Sequence, residues 1–276
     1  MSNSKKYLIS PNITNYTLTQ KIKGVDQDNN YIDTTVIKES SLTIFLNNQE
    51  IVTLMCVDDY PNFLAIGYLL NQNMIKVRDK IRSIDIDKDL GIVVIRTNRK
   101  TDYEKILKKK ITTSGCAQGT IFGNIYDEIK KVRINSKIII KHEWIYDLSK
   151  KINLTPSLYL EAGAVHGCVI AKKNIPLIYM EDVGRHNAVD KIAGYMFLND
   201  INPKDKIFYT TGRLTSEMVI KTVKMGISIL ISRSGFTSWG VELAQKTNLT
   251  LIGRAKGKKY IALSGNHRIR KSKSYE

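Results

Sequence analysis

Apolar and polar positions alternate in short bursts over the first hundred residues. Ser41-Leu-Thr-Ile-Phe-Leu46 and Glu50-Ile-Val-Thr-Leu-Met-Cys56 flank the polar pair Asn47-Asn48, which predicts two strands around a tight turn. Asp58 or Asp59 is placed to cap a helix over Tyr60 to Leu70, where Phe63, Ile66, Leu69 and Leu70 recur at helical spacing. Arg78 to Asn98 returns to the alternation of strands. A Lys-rich stretch, Thr101 to Thr113, and a small polar one, Thr112 to Thr120, then mark a boundary. It divides the chain into a smaller, mostly β unit, residues 1–110, and a C-terminal α/β unit, residues 111–276.

The second unit alternates strand and helix. Strands are predicted at Leu177–Met180, Lys206–Thr210, Ile227–Ser232 and Leu249–Ile252, with helices at Asn187–Phe197, Thr215–Met225 and Ser238–Thr247 between them. That order implies an α/β layer with largely parallel strands. From His267 onward the chain is basic and poor in apolar residues, which predicts a frayed tail.

In such a sheet, ligands collect where the loops leave the carboxyl ends of the strands. Here the loops read Glu181-Asp-Val-Gly-Arg-His-Asn187, Thr211-Gly-Arg-Leu-Thr-Ser-Glu217 and Ser232-Arg-Ser-Gly-Phe-Thr-Ser238. Each supplies an arginine, Arg185, Arg213 or Arg233, and Gly212, Ser234 and their neighbours add small residues and donors. Three such loops in series point to an anionic ligand of phosphate type, although any one arginine is equally an ordinary salt-bridge partner. His186 reads as a ligand contact or a structural hydrogen-bonding group. His166 reads as a buried, hydrogen-bonded histidine.

Charge strengthens the anion reading without naming the ligand. The chain carries 43 Lys and Arg against 26 Asp and Glu, a net charge of +17, concentrated in Arg96–Lys151 and Arg254–Glu276. Such a field attracts nucleic acid, acidic proteins or a pyrophosphate-bearing molecule alike; a solvated lysine-rich face is the plain alternative. Nucleic acid ranks last, because neither a zinc finger nor an aromatic-rich single-strand motif is present. The three cysteines, Cys56, Cys116 and Cys168, fit a reducing, cytoplasmic setting, and no apolar run predicts a membrane span. Cys56 and Cys168 have core-like neighbours. Cys116, in Ser114-Gly-Cys-Ala-Gln-Gly119, reads either as an exposed, reactive thiol or as a small residue packed in a turn. No zinc-ligand spacing occurs, so no tightly bound protein metal site is expected.

Glu181-Asp-Val-Gly-Arg-His-Asn-Ala-Val-Asp-Lys191, Gly212-Arg-Leu-Thr-Ser-Glu-Met218 with Lys221, and Ser232-Arg-Ser234 with Thr237 resemble the signature segments of the formate dehydrogenase accessory sulfurtransferase family, FdhD. The similarity runs from about Glu39 to Ile269. The resemblance implies a cytidine-deaminase-like, three-layer α/β core without the deaminase zinc site. It further implies sulfur transfer, as a cysteine persulfide, from a cysteine desulfurase to the molybdenum-bis(molybdopterin guanine dinucleotide) cofactor or its tungsten equivalent, for use by formate dehydrogenase as client. A homodimer is implied as well. Carried over, Cys116 is the persulfide-bearing residue, and the segment Tyr260, Ile261, Ala262, Leu263, Ser264 and Gly265 contacts the cofactor. Arg185, His186, Gly212, Arg213, Arg233 and Ser234 would hold its phosphates. Two departures stand out: Gly119 replaces the second cysteine of the C-x-x-C found in many members, and Ala162-Gly-Ala-Val-His166 replaces T-G-G-x-H. The alternative class is a non-catalytic chaperone that binds the guanine dinucleotide cofactor.

Overall fold

The structure, a computed structural model, describes residues 7–98 and 125–271 and, as backbone alone, residues 110–111 and 121–122. A two-stranded hairpin, β1 (Thr19–Val25) and β2 (Tyr31–Ile37), precedes β3 (Ser40–Leu46), β4 (Gln49–Cys56), α1 (Pro61–Asn71), β5 (Ile81–Asp87) and β6 (Ile92–Thr97). Strands β3 to β6 form a four-stranded sheet in the order β4-β3-β6-β5, over which α1 packs. The predicted turn at Asn47 is present, with a left-handed backbone that asparagine tolerates. The predicted cap is not. Tyr60 occupies the N-cap position with φ of 52° and Pro61 starts the helix, while the Asp59 side chain turns inward to an ion pair. A buried cation outcompetes the helix terminus for that carboxylate.

The backbone pairs β7 (Lys110–Ile111) with β8 (Ile121–Phe122), antiparallel, on either side of residues 112–120. The chain then continues through α2 (Ile125–Lys131), β9 (Ile140–Lys141), α3 (His142–Leu154), α4 (Leu158–Ala162), β10 (His166–Lys172), β11 (Ile175–Asp182) and α5 (Arg185–Leu198). After these come β12 (Ile207–Thr210), α6 (Ser216–Lys224), β13 (Ile229–Ser232), α7 (Ser238–Thr247), β14 (Thr250–Lys256), β15 (Lys259–Ser264) and β16 (Ile269–Arg270).

Strands β10 to β15 make a six-stranded sheet in the order β11-β10-β12-β13-β14-β15. It is mixed rather than largely parallel: β12–β13 and β13–β14 pair parallel, whereas β10–β11, β10–β12 and β14–β15 pair antiparallel. The β10–β11 and β14–β15 connections are hairpins, too short for a crossover. Because β10 runs against both of its neighbours, β11, β12 and β13 still point the same way, and their loops leave one end of the sheet. Strand alternation divides the core into two. Cys168, Ile170, Phe208 and Leu230 face α5, α6 and α7; Val169, Ala171, Tyr209 and Ile231 face Ile145, Leu148 and Ile152 of α3. Helices thus cover both faces. The expected frayed tail is partly built in: Arg268 is 1% exposed and donates to the carbonyls of Ile134, Ser136 and Asn248, and β16 pairs with β9. A buried fork of donors holds what composition alone reads as loose. Among the described residues, no helix is long and apolar enough to cross a membrane.

Helices α1 and α5 join the two sheets. Gly67 and Gly194 face the partner backbone so closely that an added Cβ at Gly67 would collide with the Asp190 carbonyl, and one at Gly194 with the Phe63 carbonyl. Replacing a helical glycine by alanine ordinarily stabilises by about 1 kcal/mol. Gly194→Ala is expected to reverse that sign and cost at least about 2 kcal/mol, read as a lowered urea midpoint; a raised midpoint would show that the helices do not touch here.

Candidate functional site

The segment Glu181–Lys191 spans the end of β11 and the first half of α5, and most of its polar side chains point inward. Lys191 is fully buried, pairs with Asp182 at 2.7 Å and with Asp59, and donates to the carbonyls of Val57 and Glu181, each at 3.2 Å. Burial opposes its charge, but the two carboxylates outweigh it and lift the ammonium above its usual range. Asp182 also accepts from the backbone N–H of Val57 (3.2 Å) and Gly184 (3.1 Å) and from Asn187 Nδ2 (2.9 Å). Asp190 takes Lys221 Nζ at 2.7 and 2.8 Å and Asn71 Nδ2 at 2.6 Å. These residues brace the loop from beneath.

Glu181 belongs to the same brace. Its carboxylate accepts the backbone N–H of Leu158 at 2.7 Å and of Tyr159 at 3.3 Å, so it anchors the start of α4. Burial pushes its pKa up to about 7 against those hydrogen bonds. Tyr159 on α4 lies under the guanidinium of Arg233, 4.7 Å from the ring centre.

Beside this brace lie the arginines, Arg213 exposed and Arg185 and Arg233 half-buried. Arg185 packs over Gly212, where a Cβ would come within 3.1 Å of the Arg185 Cβ and 3.2 Å of its Cδ. Gly212 therefore serves the approach of Arg185, a role the sequence reading gave to a ligand. Ser232 Oγ ties the second and third loops by donating to the Gly212 carbonyl at 2.7 Å and accepting the Ser234 N–H at 2.9 Å. Leu214 and Thr237 add backbone bonds between the same loops, and Thr237 caps α7 through the Gly240 N–H. All three loops meet around His166, at the start of β10. Burial holds the His166 imidazole below its usual pKa, and Arg185, Arg233, His186 and Arg213 add to the effect in that order of sequence-distant neighbours. The sequence reading made His166 a buried, hydrogen-bonded histidine; the structure leaves it half-buried, within the field of the three arginines. His186 sits with Nε2 2.6 Å from Glu217 Oε2; burial pushes its pKa down and Glu217 opposes that.

The Tyr260–Gly265 segment forms edge strand β15 and is split by it. Tyr260 lies 2.9 Å from a ring nitrogen of His142, Ile261 and Leu263 are exposed, Ala262 is half-buried and Ser264 is buried. Gly265 packs on Thr250, at the other end of β14 from Tyr260. Only Tyr260 and Ile261 reach an open pocket of about 760 Å³, shared with His142 and Tyr146 of α3 and with Arg254, Lys256, Lys258 and Lys259. The backbone N–H of Arg254 bonds the Ser234 carbonyl at 2.8 Å, which joins this basic and aromatic pocket to the third arginine loop. Sequence reasoning missed Tyr159, His142, Tyr146 and Arg254; β14 and β15 carry a turn signal, but nothing in the spacing announces which residues α3 contributes. Cys116 and Gly119 lie outside the described residues. Cys56 and Cys168 are buried, and burial pushes both thiols up to about 12, so neither is a thiolate at neutral pH.

Glu181 gives a pH test of the brace. Its pKa in the folded chain is raised above the ordinary carboxylate value, so folding takes up a proton between pH 4.5 and about 7 and stability falls as pH rises through that window. Glu181→Gln removes this dependence. The stability difference between the native chain and Glu181→Gln, measured by urea unfolding, is expected to shift by up to about 3 kcal/mol against the native chain across that window; a constant difference would place Glu181 in solvent.

Comparison with known proteins bears on the same residues. The chain is 30% identical over 235 residues to the sulfur carrier protein FdhD of Bacillus pumilus, covering 85% of this chain and 90% of that one. It is 30% identical over 240 residues to the sulfur carrier protein FdhD of Bacillus subtilis, covering 87% and 92%. Among solved structures, a candidate formate dehydrogenase accessory protein from Desulfotalea psychrophila superposes with a TM-score of 0.73 at 25% identity, over 91% of this chain and 98% of that one. The sequence profile of the FdhD/NarQ family matches residues 37–270, a span that holds the β11–α5 brace and all three arginine loops, and the chain is a member of that family.

Proposed function

We propose that this protein is a sulfur carrier that delivers persulfide sulfur to a guanine-dinucleotide form of the molybdenum or tungsten cofactor, bound as its substrate. The Cys116 thiolate attacks the outer sulfur of a cysteine-desulfurase persulfide; the donor's S–S bond breaks, its cysteine leaves as thiolate, and Cys116 retains the transferred sulfur as a persulfide. Formate dehydrogenase is the client that receives the sulfurated cofactor. A cytidine-deaminase-like core is part of the same reading, supported by helices on both faces of the six-stranded sheet.

The observation that carries the reading is the convergence of Arg185, Arg213 and Arg233 around His166. Arginine forks bind phosphate through paired, charge-assisted hydrogen bonds. The carboxylates that flank Arg185 in sequence, Glu181, Asp182 and Asp190, are held by buried partners, and Glu217, four residues after Arg213, pairs with His186. The positive face continues through Arg254 into the lysine and tyrosine pocket, so it suits an extended ligand with a diphosphate and flat rings better than a single inorganic ion. Sulfur carriage rests on the family relatives and on Cys116; phosphate binding rests on the geometry.

The two halves separate experimentally. After incubation with a cysteine desulfurase and cysteine, intact-mass spectrometry is expected to show one added sulfur, lost in Cys116→Ala, while that variant binds GDP with unchanged affinity. Arg213→Gln is expected to weaken GDP about tenfold, equivalent to about 1.4 kcal/mol, and to leave the added sulfur in place. An added sulfur that persists in Cys116→Ala would sink the carrier assignment. Unaltered GDP affinity in both Arg213→Gln and Arg185→Gln would sink the phosphate site.

A further inference from the structure

A guanidinium can be held in place in two ways. An ion pair or hydrogen bond fixes it by occupying its in-plane N–H groups, the same groups that a phosphate needs; an aromatic ring fixes it by its flat face and leaves those donors free. Arg233 has support of the second kind. Its guanidinium lies over the Tyr159 ring, 4.7 Å from the ring centre. No described residue forms an ion pair with Arg233 or accepts a hydrogen bond from its side chain.

Tyr159 is in turn held at a fixed point. The backbone N–H groups of Leu158 and Tyr159 both donate to the Glu181 carboxylate, and Ser157 Oγ caps the same turn by accepting the Leu160 N–H at 3.3 Å. Leu158 is buried against Leu18, Val57 and Val165, which locks one side of the turn into the core. The Tyr159 side chain, 40% exposed, projects from the other. Its hydroxyl has no hydrogen-bond partner among the described residues, so the ring face is what this position supplies.

We infer that Tyr159 is a positioning residue for phosphate binding, which holds Arg233 by its face and keeps the N–H edge free for the ligand. The inference rests on the phosphate site proposed above and extends it to α4, which lies outside the three arginine loops. Support runs outward from the buried cluster: Lys191 donates to the Glu181 carbonyl, the Glu181 carboxylate holds the first turn of α4, and that turn presents the ring to Arg233. A carboxylate placed directly on Arg233 would neutralise the charge that attracts the anion. Support passed through an aromatic ring leaves that charge in place.

GDP and inorganic pyrophosphate, each titrated calorimetrically into the full chain, test the role. Tyr159→Leu is expected to weaken both about fivefold, the strength of a partly desolvated cation–π contact. Tyr159→Phe, which keeps the ring, should stay within about twofold of the native chain. Arg233→Gln should weaken both ligands about tenfold, and adding Tyr159→Leu to it should cause no further loss. Tyr159→Gln also removes the ring, is expected to match Tyr159→Leu, and decides the matter where the leucine variant does not fold. Native affinity in the ringless variants beside a weakened Arg233→Gln overturns the positioning role and leaves the phosphate site standing. A loss confined to GDP also overturns it, because the ring would then touch the base, as does an equal loss in Tyr159→Phe. Unaltered affinity in Arg233→Gln removes Arg233 from the phosphate site and this inference with it.

Discussion

The pairing of Lys191 with Asp59 and Asp182 is the constraint on which the rest of the structure depends. It draws together three parts of the chain: the segment ahead of α1, the end of β11 and the middle of α5. Removing a lysine and two carboxylates from water is expensive, and such a cluster survives only when its remaining valences are filled. Here they are, by Val57, Gly184, Asn187 and the Glu181 carbonyl. The close crossing of Gly67 and Gly194 carries α1 against the same helix, so the N-terminal sheet is fastened to the second core both by charge and by backbone contact.

This fastening has an electrostatic consequence at the arginine loops. Acidic residues dominate the start of the Glu181–Lys191 segment in sequence, yet in space they point away from the arginines that follow. Asp182, Asp190 and Glu181 are neutralised or hydrogen-bonded internally, and Arg185 is laid across Gly212 toward the second and third loops. A neutral His166 at the centre adds a polar group without adding charge at pH 7. The result is a cationic rim over a satisfied polar interior. Such an arrangement suits the anion proposed above, because donors already held in place need little reorganisation.

Much of this was legible in the sequence, but unevenly. Strand and helix positions from Leu42 to Cys56 and from Leu177 to Ile252 follow directly from apolar periodicity, because each element buries one regular face. The convergence of Arg185, Arg213 and Arg233 followed from their place after three strands. The antiparallel members β10 and β15 are not legible because periodicity gives no direction, and the role of Asp59 is not legible because its partner lies 132 residues away, whereas a helix cap is a local signal. Arg268 was mistaken for tail for a similar reason: its acceptors are main-chain carbonyls, which have no sequence signature. The Tyr260–Gly265 segment was treated as one contact surface, whereas strand alternation sends its side chains to opposite faces.

The account stands most directly on where a nucleoside diphosphate sits. A crystal structure of the full chain soaked with GDP should show both phosphates at the sheet end occupied by Arg185, Arg213 and Arg233, with the Lys191 triad undisturbed beneath. Phosphates bound elsewhere on the chain, with the three guanidinium groups still unengaged by ligand, would contradict it.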